Sequence, residues 1–242
     1  MQENSMSEQI RISAKNLGEL AMPDFCPRCF WIKLRLKNKL PFQIFPGIFS
    51  SIDSYTKRIV HSWFDNHRNQ PVWLNSLGNL VGYRETPHFS KFRILDEENN
   101  ILLTGNPDDV FIKSDSSHII VDYKTAKYTA AQDKLHPLYE AQLNSYAMIG
   151  SKCGLEPISK LALVYMEPVT DESAAANSEN HNEDGFDMGF SAHVLEVKHD
   201  PSIITPLLIK TREIYELEKA PSTGRGCNNC QLLANLIDVA NE

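Results

Sequence analysis

The sequence predicts an α/β (α+β) fold, a central mixed β-sheet flanked by helices, and three observations carry it. Apolar runs of strand length, bounded by turn residues, fill the middle of the chain: Ile101 to Thr104, His118 to Tyr123 and Leu161 to Met166. Two longer segments, Ile48 to His67 and Pro137 to Ile149, instead repeat apolar residues at spacings of three and four, the helical period. Each end of the chain also carries a C-x-x-C pair, so the two ends are expected to meet. With 242 residues, 42% of them hydrophobic, the chain can bury one sizeable core. It shows no internal repeat. The expected organisation is a polar, disordered lead over residues 1–10 and a single domain over 11–242.

In chain order, Ile12 to Leu20 is a short segment of ambiguous type. Phe25-Cys26-Pro27-Arg28-Cys29-Phe30-Trp31 follows, and Trp31 to Leu40 then alternates apolar and basic residues. Arg28, Lys33, Arg35, Lys37 and Lys39 fall there without an acid between them. They form either a solvated helix face with packed aliphatic stems or a surface that contacts phosphates. In the helix from Ile48 to His67, residues Ile48, Ile52, Tyr55, Ile59 and Trp63 make one stripe. Pro71, Gly78 and Gly82 break the next stretch into short pieces. His88 to Leu95 and Ile101 to Thr104 read as a hairpin around the polar turn Asp96 to Asn100, and Gly105 to Ile112 continues its second strand through an acidic pair. His118 to Tyr123 is apolar enough for a central strand.

Pro137 is placed to open the helix that runs to Ile149, with Leu138, Gln142, Tyr146 and Ile149 on one face. His193 to Lys198 alternates as an outer strand expected to pair with Lys160 to Pro168. Pro201 to Glu218 reads as a helix with Ile204, Leu207, Leu208, Ile214 and Leu217 inward. Residues 170–189 are polar and acidic, an extended loop that could serve as a gate or a nucleic-acid mimic.

A net charge of -7 excludes a protein coated in basic surface. Six acids between Asp171 and Asp187 carry most of that charge, so a nucleic-acid path is permitted locally, above all along the basic segment near the N-terminus. No apolar run approaches the roughly 18 residues that span a bilayer, and Met1 to Glu8 lacks the apolar stretch of a secretion signal. The expected compartment is the cytoplasm, with no membrane partner.

The chemistry gathers where the apolar runs end in charge. Asp108 closes Gly105-Asn106-Pro107-Asp108, and Asp122-Tyr123-Lys124 closes the central strand. Strand alternation places Asp122 and Lys124 on one face. Carboxylates on neighbouring strands suit Mg²⁺ or another hard cation, and a nearby amine can hold a water and offset charge on a phosphoryl group. Asp109 is either a spare acid or a solvated neighbour. Gln142, an amide in an apolar stripe, needs a hydrogen-bond partner such as a site carboxylate, a metal-bound water or a phosphate. Tyr146 by itself reads as a core aromatic. Cys26, Cys29, Cys227 and Cys230 complete a four-thiolate set for Zn²⁺ or an iron-sulfur cluster, whereas Cys153 reads as a small buried hydrophobe.

These residues together resemble the PD-(D/E)XK nuclease superfamily, and within it the RecB-like branch that includes CRISPR-associated RecB-like exonucleases. Pro107-Asp108 matches the PD element, Asp122-Tyr123-Lys124 the (D/E)-x-K element, and Gln142-Leu143-Asn144-Ser145-Tyr146 the Q-x-x-x-Y helix. The resemblance implies a restriction-endonuclease-like core and a Mg²⁺- or Mn²⁺-dependent deoxyribonuclease acting on single-stranded DNA or duplex ends. Asp108, Asp122 and the Tyr123 backbone carbonyl would hold the ion, Lys124 would position water, and Gln142 and Tyr146 would orient the phosphate. It also implies a [4Fe-4S] cluster on the cysteines, with zinc as the rival, and a helicase or CRISPR adaptation protein as partner. In one respect the sequence departs. Gly47 opens the helix as in that branch, but Ser51 stands where a metal-binding histidine follows four residues later.

Overall fold

The structure, a computed structural model, describes residues 8–37, 46–129 and 134–242. Ile10–Ser13 forms β1, and the Ser13 hydroxyl caps α1 (Ala14–Gly18) by accepting the Asn16 N–H at 3.2 Å. After α2 (Pro27–Arg35) and the long α3 (Gly47–His67) come β2 (Leu80–Tyr83), β3 (Arg93–Asp96), β4 (Ile101–Thr104), β5 (Asp109–Lys113) and β6 (His118–Lys124). Then follow α4 (His136–Lys152), β7 (Ile158–Pro168), α5 (Glu172–Ala176), β8 (His181–Asn182), β9 (Gly185–Phe186), β10 (Phe190–Val197), α6 (Ile204–Glu216) and α7 (Asn228–Ala240).

The main sheet runs β10-β7-β6-β5-β2 and is mixed: β6 and β7 are parallel, joined by the α4 crossover, while the other neighbours are antiparallel. Successive residues of β6 and β7 enter opposite core layers. Val110, Ile120, Leu161 and Leu163 pack with Ala141, Leu143 and Tyr146 of α4. Phe111, Ile119, Val121, Tyr123, Ala162 and Val164 pack with Val60 and Phe64 of α3. Covering on both faces explains why the central strand is apolar without a break. A second sheet, β1-β4-β3, holds the hairpin. The expected pairing of the His193 strand with the Lys160 strand is present, His193 lying opposite Tyr165.

Several expectations change. The hairpin strand does not run through the acids: β4 ends at Thr104 in the small sheet and β5 begins at Asp109 in the main one, so Gly105 to Asp108 is the crossing between sheets. The helix over Ile48 to His67 is present, but its apolar stripe faces mostly outward. Ile48, Tyr55, Ile59 and Trp63 are exposed and Ile52 is half-buried, while Thr56, Val60 and Phe64 are the buried side. Ile10, placed by sequence in the lead, begins a strand and is buried. Leu217 is exposed at the end of α6. The acidic stretch carries α5 and the small β8–β9 hairpin. No described helix is long and apolar enough to cross a membrane.

Candidate active site and metal centre

Where the chain crosses from β4 to β5, Gly105 lies against the Tyr146 ring, and a β-carbon there would come within 2.7 Å of it. Only glycine allows that approach, which brings the P-D turn onto α4. Asp109 pairs with Val121, so β6 extends past the end of β5, and the unpaired Tyr123 N–H donates to Asp108 Oδ2 at 2.8 Å. The N–H and C=O of one strand residue point to the same side, so the Tyr123 carbonyl also faces Asp108.

Lys124 forms an ion pair with Asp122 Oδ2 and lies 4.3 Å from the centre of the Tyr139 ring. Gln142 Nε2 donates to Asp122 Oδ1 at 3.2 Å and to the Tyr146 hydroxyl at 2.7 Å. Asp108, Asp122, Lys124, Gln142 and Tyr146, distant in sequence, are thereby brought together.

A third acid, missed in the sequence reading, joins them. Asp53 of α3 accepts a hydrogen bond from the Thr125 hydroxyl at 3.1 Å, and burial, followed by the charge of Asp122, raises its pKa. It is the only acid between Pro41 and Phe64, on the helix that in the resembled branch supplies a ligand; that isolation was the available signal. Ser51 does not take the histidine's place: it is exposed, and its hydroxyl donates back to the Gly47 carbonyl at 3.3 Å.

The electrostatics call for a cation. Burial, and then the charge of Asp122, pushes the Asp108 carboxyl up to about 8. Burial opposes the charge on Lys124, but Asp122 prevails and raises its pKa, so the lysine is a fixed cation at neutral pH. Asp122 Oδ2 is buried with the Lys124 ammonium as its partner, and Gln142 Oε1 is buried without a hydrogen-bond partner among the described residues. Three carboxylates, a carbonyl and the Gln142 oxygen form a hard-oxygen donor set that fits Mg²⁺ or Mn²⁺.

Asp109 is not a solvated neighbour. It is fully buried on the opposite side of the strand, where His61 Nε2 lies 3.0 and 3.1 Å from its two oxygens and the Tyr123 hydroxyl donates to Oδ2 at 3.1 Å. His61 in turn stacks on Tyr83, with centroids 3.5 Å apart.

The cysteines make a second centre. Cys26 and Cys227 are the N-caps of α2 and α7, and Cys29 and Cys230 sit in the first turns, so two helix N-termini face one cluster and favour thiolates there. Its Sγ atoms lie 3.5 Å (Cys29–Cys227 and Cys29–Cys230) and 3.6 Å (Cys26–Cys230) apart, and all four lie within 4.8 Å of one another. Burial works against ionisation of Cys26, but the N–H groups of Cys29 and Gly224 and the neighbouring thiols hold it down at about 6. Burial and the neighbouring thiols push Cys29 up. Cys153 is half-buried, not sealed in the core.

Of the five basic residues, three are engaged inside the chain. Arg28 Nε donates to the Pro221 carbonyl at 2.9 Å, and Lys33 pairs with Glu19. Arg35 donates to the Tyr215 and Leu217 carbonyls at 2.8 and 3.0 Å while its guanidinium lies over the Trp31 and Tyr215 rings. These contacts tie the N-terminal segment to the chain's end and do not form an open phosphate track. Lys37 is exposed, and Lys39 lies outside the described residues.

An oxygen-rich cation site at the ends of adjacent strands, with a lysine beside it, is the layout of a metal-dependent phosphodiesterase. The sequence model of the PD-(D/E)XK nuclease superfamily matches residues 51–234, and the chain belongs to that superfamily. No curated protein matches the sequence. Among solved structures, the chain is similar to SSO0001 at 14% identity and a TM-score of 0.44, over 88% of this chain and 79% of that one.

Proposed function

We propose that this protein is a Mg²⁺- or Mn²⁺-dependent deoxyribonuclease of the RecB-like kind that hydrolyses phosphodiester bonds at DNA ends. The observation that carries this reading is the junction of Asp108, Asp122 and Lys124 where β5 and β6 end, with Gln142 fixed on Asp122. Asp108, Asp122 and the Tyr123 carbonyl would hold the ion, with Asp53 as a further acidic donor. When bound, such an ion polarises a phosphoryl oxygen and makes a water more acidic. Lys124, kept charged by Asp122, offsets negative charge growing on the phosphoryl group and orients the water; as a fixed cation it does not take the water's proton. Gln142, held by Tyr146, orients Asp122 and presents Oε1 to the site.

The decisive experiment incubates the protein with labelled single-stranded and double-stranded DNA and Mn²⁺. Wild type should shorten the DNA from an end, and Asp122→Ala and Lys124→Ala should each lose roughly 100-fold or more. Wild type that binds DNA without cutting it would replace the enzyme with a binding or scaffolding module. A helicase or CRISPR adaptation protein, proposed from the resemblance, would deliver the end, and co-purification would test it.

For the cysteine centre the spacing favours zinc over the iron-sulfur cluster. A single tetrahedral ion with bonds of about 2.3 Å needs sulfurs about 3.8 Å apart, close to the spacing seen here. A four-iron cluster occupies more space and holds its thiolates farther apart. A colourless preparation with one zinc per chain is expected; a brown anaerobic one containing iron would reverse this assignment.

A further inference from the structure

The strand register continues the active-site row across the sheet. Lys124 lies opposite Tyr165 of β7, and Tyr165 lies opposite His193 of β10. Opposed residues on neighbouring strands point to the same face, so Lys124, Tyr165 and His193 form one line on the α4 side. Two further rings join it. Tyr128, from the segment after β6, stacks on His193 with centroids 4.6 Å apart and planes 11° apart, and its ring lies 5.4 Å from that of Tyr165. Tyr139 of α4 lies beside Lys124. Glu167 holds the outer pair in place: it accepts the Tyr128 N–H at 3.1 Å and lies 3.5 Å from His193 Nε2.

Two features distinguish this row from ordinary core packing. Tyr128 and His193 remain partly exposed, so aromatic surface is open to a ligand. Tyr165, by contrast, is only 5% exposed, and its buried hydroxyl has no hydrogen-bond partner among the described residues. Folded proteins seldom leave such a group unsatisfied, and a bound polar ligand would satisfy it.

We propose that Tyr128, Tyr165 and His193 form a nucleobase-stacking subsite that takes an unpaired base of single-stranded DNA beside the phosphate at Lys124. This rests on the nuclease reading for placing a phosphate at Lys124, and it deepens that reading by naming the form of the substrate. His193 is two strand spacings from Lys124, about 10 Å, a reach of a few nucleotides at most. Stacking on aromatic faces accepts every base, so the subsite selects unpaired strands and not a sequence. The Tyr165 hydroxyl supplies a donor to the edge of the base.

The test is a binding measurement with fluorescent single-stranded oligonucleotides, intact or carrying abasic residues near one end, with calcium as the divalent ion. Wild type should bind the intact strand roughly tenfold more tightly than the abasic one. His193→Ala and Tyr128→Leu should abolish this preference, and His193→Phe should keep it. Tyr165→Phe should weaken it without lowering the melting temperature, because the hydroxyl it removes has no partner among the described residues. Equal affinity of wild type for both strands would overturn the subsite, as would variants that lose affinity for both strands equally. The two readings can fail separately: base preference without cleavage in Mn²⁺ sinks the nuclease and keeps the subsite, and cleavage without base preference does the reverse.

Discussion

The carboxylate site and the cysteine site both crowd groups that repel one another once ionised, but they differ in what holds those groups in position. Asp108 stands just ahead of β5, Asp122 and Lys124 on β6 and Gln142 on α4, elements whose core of Val110, Ile120, Ala141 and Leu143 is closed without them. The cysteines stand at the N-termini of α2 and α7, about two hundred residues apart in sequence, and in α7 only Cys230 is buried. Leu232, Leu236 and Ile237 lie exposed along that helix. A 13-residue helix is marginal in water by itself, so a metal held by the four sulfurs would be its main attachment. One site is thus carried by the fold, and the other would carry part of it.

The largest expected effect is therefore at the cysteines. Replacing Cys227 and Cys230 together with serine removes half of the thiolates and should destabilise the chain's end by several kcal/mol. The melting temperature should fall by about 10 °C or more, and α7 should become open to limited proteolysis. Stripping divalent ions from the carboxylate site should stop cleavage and leave α7 protected. A double variant that melts with wild type would erase the contrast.

A smaller effect is expected from His61→Ala, which separates two neighbouring acids. Asp109 is fully buried and relies on His61, Tyr123 and the Val110 N–H, so losing His61 should cost about 2 kcal/mol of stability, read by urea denaturation. The carboxylate site, on the other side of the strand, should retain its metal. If His61→Ala instead removed metal binding and left stability unchanged, Asp109 would belong to the site and not to its support.

The parts that were legible in the sequence obey short-range rules. Strand alternation placed Asp122 with Lys124, helical spacing placed Gln142 with Tyr146, and turn residues marked the hairpin. What was hidden depends on which surface an element meets. The stripe of Ile48, Ile52, Tyr55, Ile59 and Trp63 implied a buried face, yet only Ile52 of these is half-buried, and α3 turns the mixed side bearing Asp53, Val60, His61 and Phe64 toward the sheet, where it serves the site as well as the core. Asp53 was missed for the same reason. The crossing at Gly105 to Asp108 looked like one strand because both flanking strands are apolar, and nothing local reports a change of sheet. The basic segment left a solvated face and a phosphate surface equally open until its partners, carbonyls nearly two hundred residues away, were in view.

The smallest expected effect probes the crowding of the acids directly. The Asp108 carboxyl is raised to about 8 from 3.8, first by burial and then by Asp122. Between those values the folded protein holds a proton that the unfolded chain releases, so without metal the stability of the fold declines as pH rises from about 4 to about 8. Asp108→Asn removes that burden and should raise the melting temperature of the metal-free protein by a few degrees near neutral pH, while ending cleavage. A divalent ion competes with the same proton. Its apparent affinity should climb about tenfold per pH unit up to about 8, and the melting gain on adding Mn²⁺ should grow in step. Asp108→Asn should flatten this trend. The same Mn²⁺-induced gain at about pH 6 and above about pH 8 in wild type would show that the ion does not displace the Asp108 proton, and the carboxylate site would lose the feature that sets it apart from the cysteines.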